Sequence, residues 1–271
     1  MDTEVIKMKK ITGLLVLLIT VFVLVGCQSE GTPNTWEEIE DRGYFIIGLD
    51  DTFAPMGFRD SEGELVGFDV DMAKAVSDLL GVEVRFQPID WDSKVLELNA
   101  GTIDMIWNGL TITDSRLEEM SFSDAYLANS QIIITKKDST IDTVNDLIGK
   151  KVGVQISSAS EDAVTANSVF DQLGELVKYD TFNLALLELS NGTIDAVVID
   201  EIMGRYVISQ TADLYQVATE DFGQEMYGVG FRLEATDIRD QINEALLNLV
   251  NNGTSATISN NWFGEDIVLI S

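Results

Sequence analysis

The chain has 271 residues, 45% of them hydrophobic and 23% charged, which is enough for a packed core and one or two domains and too apolar for a disordered protein. Its 46 acidic against 17 basic side chains give a formal charge of -29, which repels phosphate backbones and anionic lipid headgroups. With no compensating basic stripe, the balance argues against a nucleic-acid partner, and the acids read as a solvated surface.

At the start of the chain, Lys7, Lys9 and Lys10 precede an apolar run from Ile11 to Val25 that is broken by Thr12, Gly13 and Thr20. This is a signal-peptide layout, covering residues 1–26. The run is shorter than the ~20 residues of a spanning helix, and no charged stop-transfer segment follows. Leu24-Val25-Gly26-Cys27 resembles the bacterial lipobox, which implies cleavage before Cys27 and a diacylglyceryl anchor on its thiol. Cys27 is the one cysteine of the chain, so no intrachain disulfide forms, and an acylated thiol leaves no reactive sulfur outside the cell. Residues 27–35 are polar and contain Gly and Pro; they read as a tether, with folding starting near Trp36.

From Tyr44 onward, β-rich runs alternate with helical patterns, the signature of α/β architecture with largely parallel sheets. Strands are expected over Tyr44–Asp50, Val82–Ile89, Ile103–Leu110, Gln131–Lys137, Lys151–Ile156, Leu176–Asp180, Ile194–Asp200 and Met226–Arg232. Between them, Phe68–Leu80 places Phe68, Met72, Val76, Leu79 and Leu80 on one helical face, and Ile238–Val250 does the same with Ile242, Leu246, Leu247 and Val250. The segment Leu96-Glu97-Leu98-Asn99-Ala100-Gly101-Thr102-Ile103-Asp104 recurs as Leu187-Glu188-Leu189-Ser190-Asn191-Gly192-Thr193-Ile194-Asp195. Each copy closes a helix with glycine and opens a strand, which predicts two similar α/β lobes with a cleft between them.

Seven segments in order carry a family resemblance. They are Gly48 to Pro55, Gly67-Phe68-Asp69-Val70-Asp71-Met72-Ala73-Lys74-Ala75, Leu110-Thr111-Ile112-Thr113-Asp114-Ser115-Arg116, Phe122 to Tyr126, Asp146 to Val154, Asp195 to Asp200, and Trp262-Phe263-Gly264. Together they resemble the polar amino-acid binding proteins of ABC importers, which have the type II periplasmic binding protein fold. The resemblance implies two lobes joined by two hinge crossings, near residues 128–137 and 219–227. Lobe 1 would comprise 36–132 and 226–271, and lobe 2 would comprise 133–225. It also implies a partner set: a free L-amino acid, a membrane permease with its ATPase, and the membrane itself through Cys27, with the chain held on the extracytoplasmic face of the bacterial cell membrane. No cofactor or metal is expected.

A free amino acid carries a carboxylate and an ammonium, so a site that desolvates it needs a fixed cation, a fixed anion and oriented amide dipoles. By resemblance, Arg116 clamps the carboxylate with its planar guanidinium, and Asp200, at the carboxyl end of a parallel strand, accepts the ammonium. The competing roles are a surface Arg116 paired with Glu119 and an Asp200 that merely caps the next helix. Ser158, Ala159 and Ser160 stand where the family usually has Gly-Thr-Thr, with Ser157 in the place of the glycine, so helix-start N–H groups would meet the carboxylate. Ala159 lacks the hydroxyl that a threonine would supply. Asn108, Gly109 and Thr111 complete the shell around the amino and carboxylate groups. Asp50, Phe53 and Trp91 surround the ligand's side chain and favour a polar or cationic one. Strand alternation turns Trp107 away from Asn108, toward the core.

Two other readings compete. A dehydratase-type enzyme on the same fold needs an acid/base group, yet the chain has no histidine, nucleophile elbow, phosphate loop or His/Cys metal cluster. An amino-acid-sensing receptor would add a membrane span and a signalling domain after Trp262-Phe263-Gly264. A stand-alone carrier is the expectation.

Overall fold

The computed structural model of the chain describes residues 33–211 and 213–270. The expected signal peptide, Cys27 and the tether as far as Thr32 lie outside the described residues. The fold takes in Pro33, Asn34 and Thr35, which the sequence assigns to the tether. Buried Arg232 donates to the Pro33 carbonyl and, at 3.4 Å, to Asn34 Oδ1, and Thr35 forms a capping box with Glu38 at the start of α1 (Trp36–Arg42).

Strand β1 (Tyr44–Leu49) is followed by a small antiparallel sheet of β2 (Thr52–Phe53), β3 (Gly57–Arg59) and β4 (Leu65–Val66). These strands are too short to show alternation in the sequence. Gly67 then turns the chain into α2 (Phe68–Leu80) at φ 143°, where a Cβ would lie 2.2 Å from the Met56 carbonyl oxygen. Helix α2 buries Phe68, Met72 and Val76 fully, each worth roughly 1.5–3 kcal/mol, but leaves Leu79 43% exposed. Next come β5 (Glu83–Pro88), α3 (Lys94–Ala100), β6 (Met105–Ile106), α4 (Asp114–Leu117) and β7 (Ser121–Phe122). Only Met105 and Ile106 of the expected strand Ile103–Leu110 pair as strand; the rest bends toward the site described below.

The chain crosses on β8 (Leu127–Lys136) and builds β9 (Lys151–Gln155), α5 (Ala159–Ala166), β10 (Glu175–Tyr179), α6 (Phe182–Asn191), β11 (Ala196–Asp200) and α7 (Glu201–Gln210). It returns on β12 (Tyr215–Tyr227) and ends with β13 (Gly230–Phe231), α8 (Thr236–Asn251) and α9 (Thr254–Phe263). The expected strand Met226–Arg232 is therefore divided, with Met226 and Tyr227 ending β12 and Gly230 and Phe231 joining the other sheet. Irregular register between Val217, Asp221 and Gln224 erases the alternation that would have announced β12.

The two five-stranded sheets have equivalent order, β5-β1-β6-β13-β7 and β10-β9-β11-β8-β12. In each, two parallel pairings are followed by two antiparallel ones. These are the two α/β lobes, and the internal sequence echo is one joint seen twice. Helices α3 and α6 end at Gly101 and Gly192, both left-handed, whose N–H groups donate to Glu97 and Leu98 and to Glu188 and Leu189. Asp104 then accepts the N–H of Ile46 at 2.7 Å, and Asp195 that of Lys151 at 2.8 Å, tying each joint to the equivalent neighbouring strand, β1 or β9.

Strand β11, parallel to β9 and antiparallel to β8, is buried on both faces. Val197 and Ile199 pack with Phe182, Leu186 and Leu189, while Ala196 and Val198 pack with Val152, Val154 and Val164. In α8 the apolar stripe runs through Ile238, Ile242, Leu246 and Leu249, so Leu247 is 39% exposed instead of packed.

Candidate functional site

Strands β1, β9 and β11 all end at one narrow cavity between the two sheets. Of the eleven ligand residues expected from the sequence, ten line it; Gln155 and Phe182 join them, and Ser160 does not.

Arg116 lies on α4, which Thr113 caps by accepting the Arg116 N–H at 3.2 Å. It is only 5% exposed, which removes the surface pairing with Glu119. Nη1 donates to the Thr111 carbonyl at 2.8 Å and Nη2 to the Ser157 carbonyl at 3.3 Å, the second bond reaching into the other lobe. Among the described residues no carboxylate stands within ion-pairing distance of this guanidinium. Burial lowers its pKa, and the more distant Asp162, Asp200, Glu225 and Glu119 oppose that shift.

Asp200 precedes α7 but makes no capping hydrogen bond; its side chain turns inward. Oδ1 accepts from Asn129 Nδ2 at 2.7 Å, Gln131 Nε2 at 3.1 Å and Tyr227 OH at 2.7 Å. Among the described residues Oδ2 has no donor. Glu225, on β12, shares two of those donors, accepting from Asn129 Nδ2 at 2.6 Å and Gln131 Nε2 at 2.7 Å. Burial first, and then the charge of Glu225, push Asp200 up to about 7.

On the lobe 1 wall, Asp50 N donates to Asn108 Oδ1 at 3.1 Å, while Asn108 Nδ2 is buried without a partner. Gly109 has φ 58°, and a Cβ there would lie 2.8 Å from Phe53 Cε1, so the turn admits only glycine. Its N–H donates to Asp69 Oδ2 at 2.7 Å. Both polar groups of Thr111 are already engaged: its carbonyl holds Arg116, and its hydroxyl donates to Glu225 Oε1 at 2.7 Å. The threonine therefore braces two charged groups in the site as it stands.

Farther along the cavity, Asp50 Oδ2 accepts from Gln155 Nε2 of the opposite lobe at 2.8 Å, and Oδ1 accepts from Thr52 N and Oγ1 at 2.9 and 2.6 Å. Phe53 and Phe182 face each other across the cleft with ring centres 5.9 Å apart, and Trp91 is 8% exposed beside them. Trp107 lies in the core at 2% exposure and does not reach the cavity.

On the lobe 2 wall, Ser158 caps α5, its hydroxyl accepting from Glu161 N at 3.2 Å and donating to the Gln155 carbonyl at 2.7 Å. The N–H groups of Ala159 and Ser160 have no acceptor among the described residues, as at any uncovered helix start. The Ser160 hydroxyl donates to Gln131 Oε1 and is fully buried, which is why its side chain lies off the cavity. Ser157 holds φ 56°, a left-handed conformation that a glycine adopts freely. Its side chain makes no hydrogen bond among the described residues, so Ser157→Gly is expected to raise the melting temperature of the ligand-free protein by about 2–4 °C. Differential scanning calorimetry checks this; an unchanged or lowered value would show that the left-handed turn carries no strain.

Sequence reasoning missed Gln155 and Phe182 on the cavity wall, and Asn129, Gln131, Glu225 and Tyr227 around Asp200. For Gln155 a signal exists: it is the polar end of an otherwise buried strand. Phe182 opens α6, and the remaining four lie on β8 and β12, so their meeting at Asp200 is a pattern across strands.

A sequence profile of the bacterial extracellular solute-binding proteins, family 3, matches residues 45–265. The L-cystine-binding protein TcyJ of Escherichia coli (strain K12) is 32% identical over 240 residues, covering 88% of each chain. The arginine-binding extracellular protein ArtP of Bacillus subtilis is 29% identical, over 94% of this chain and 98% of that one. Among solved structures, an ABC uptake transporter substrate-binding protein from Streptococcus pneumoniae with bound histidine superposes with a TM-score of 0.83. That structure is 40% identical over 86% of this chain and 97% of that one.

Proposed function

The chain belongs to the bacterial extracellular solute-binding proteins of family 3, and on that premise we propose that it captures a free amino acid between its lobes for an ABC importer. The observation that carries this reading is a buried guanidinium and a buried carboxylate, Arg116 and Asp200, which face one cavity from different lobes without pairing with each other. The ligand's carboxylate sits against Arg116 and the free N–H groups of Ala159 and Ser160, and its ammonium sits against Asp200 Oδ2. Each end then has a partner of opposite charge, which a dry cleft requires.

The ligand's side chain points toward Asp50, Gln155, Phe53, Phe182 and Trp91. Beyond Asp50 and Trp91 the cleft widens into an outer space bordered by Asp51, Asp90, Asp92, Asp180 and Glu97, which suits a polar or cationic side chain. Lobe 1 takes residues 36–132 and 226–271 and lobe 2 takes 133–225, and closure about the two crossings brings the halves of the clamp together. Isothermal titration of the mature protein against the twenty amino acids, ornithine and cystine tests the reading. Binding of none of them at millimolar concentration would reject it.

The chain reaches its permease and ATPase from the extracytoplasmic face, held by a lipid on Cys27 after removal of residues 1–26. Cys27→Ala is expected to release a folded, ligand-binding domain from the membrane fraction and to abolish incorporation of radiolabelled lipid. A variant that stayed membrane-bound after signal cleavage would disprove the anchor.

A further inference from the structure

Lys94, at the start of α3, is only 4% exposed although it ends in an ammonium. Its Nζ donates to the Trp91 carbonyl in its own lobe at 3.1 Å and to the Ser157 carbonyl of the other lobe at 2.8 Å. Arg116 Nη2 donates to that same Ser157 oxygen. Two buried cations of one lobe thus converge on a single carbonyl of the other, directly before the N–H groups that open α5. Among the described residues neither cation has a carboxylate within ion-pairing distance.

Carbonyl dipoles engage two N–H donors of each cation and leave the charge uncompensated. Burial, and after it the repulsion of Arg116, lower the Lys94 pKa to about 7; Asp162, Glu119 and Asp92 oppose this from a greater distance. Helix α5 adds the positive end of its dipole on the same side. Near pH 7 this end of the cavity therefore carries Arg116 and a partly protonated Lys94, and an incoming anion favours the charged form of the lysine.

We propose that Lys94 is a specificity-determining residue: an outer second cation that bolts the Ser157 loop across the cleft and makes the site demand a full carboxylate instead of a neutral carboxamide or ester. This rests on the amino-acid reading. A merely structural lysine would weaken charged and neutral ligands alike when removed, whereas a charge-reading one weakens the charged form selectively.

The test compares L-arginine with L-argininamide, and L-histidine with L-histidinamide, by calorimetry on wild type, Lys94→Met and Lys94→Arg. Lys94→Met is expected to lower affinity for the free acid by about ten- to a hundredfold, the range of coupling between nearby charges, and for the amide far less. Lys94→Arg keeps the charge and is expected to restore most of the discrimination between acid and amide. Equal losses for acid and amide, or no loss for the acid, would overturn the proposal, and so would a Lys94→Arg variant that discriminates no better than Lys94→Met. If Lys94→Met does not fold, Lys94→Gln is judged by the same comparison. Failure of wild type to bind any free amino acid would reject the amino-acid reading itself, and it is seen before any variant is made.

Discussion

Replacing Arg116 by alanine is expected to weaken amino-acid binding by about 2 to 5 kcal/mol, roughly thirty- to several-thousand-fold, with little change in the melting temperature of the ligand-free protein. The guanidinium is buried and has no carboxylate partner among the described residues, so its deletion removes a desolvated charge together with two hydrogen bonds to the Thr111 and Ser157 carbonyls. For the ligand-free fold these effects oppose each other. For the complex they do not, because the ligand's carboxylate is left in a dry cleft with only the α5 amides to meet it. Arg116→Lys is expected to recover a fraction of the loss, since a point charge cannot hold two carbonyls and a carboxylate in one plane. Calorimetry gives the affinity, and the ligand-induced rise in melting temperature should shrink in parallel. Unchanged affinity in Arg116→Ala would move the carboxylate site elsewhere.

The second large effect belongs to Asp200 and carries a pH signature. Asparagine is the informative replacement, because Asn129, Gln131 and Tyr227 all need an acceptor at Oδ1, and alanine would strand them. Asp200→Asn is expected to cost about 2 to 5 kcal/mol of binding by removing the anion opposite the ammonium. In wild type the empty site holds Asp200 at about 7 through burial and Glu225, with Arg116 and the hydrogen bonds from Tyr227 and Gln131 pulling the other way. An arriving ammonium favours the ionised form, so binding below about pH 7 must first expel a proton. Affinity is therefore expected to fall on acidification, by up to tenfold per pH unit, and to flatten in Asp200→Asn.

The stability of the ligand-free protein has the opposite sign. A folded pKa above the unfolded value of about 3.9 means that the native state binds more protons between about pH 4 and pH 7, so this group's contribution is lost as pH rises through 7. Asp69, buried beneath Gly109 and also raised to about 7, adds in the same direction. Thermal scans from pH 5 to 8 alongside calorimetry would show the two opposed trends. An affinity independent of pH in Lys94→Arg, where the second group near 7 is replaced by a permanent charge, would remove Asp200 from the ammonium site.

Some of this was legible in the chain and some was not, for identifiable reasons. Gly101 and Gly192 follow matching helices, and that local grammar is enough to announce two equivalent lobes. Arg116 and Asp200 stood out through the resemblance of residues 110–116 and 195–200 to the family's segments; their charge alone left a surface pair and a helix cap open. Ser160 shows the limit of such reading: its place in the helix start exposes its N–H, yet the hydroxyl's direction depends on Gln131, 29 positions away on β8. Glu225 was invisible for a similar reason, since what makes it matter is Thr111, Asn129 and Gln131 meeting it across the crossings. Strand β12 was largely missed because its bulged middle breaks the period-two pattern on which strand reading depends.

Strands β8 and β12, the two connections between the lobes, are hydrogen-bonded to each other from Leu127 opposite Tyr227 to Ser130 opposite Gln224. Mechanically they form one leaf spring and not two separate cords. A two-stranded ribbon flexes easily out of its own plane and resists both stretching and sliding of one strand along the other, since either would break its ladder. A hinge of this form would restrict the lobe closure proposed above to a single swing that returns to the same registration each time. Glu225, opposite Asn129 within that spring, places a charge where the bending occurs, so the stiffness of the joint and the electrostatics of the clamp share one set of atoms.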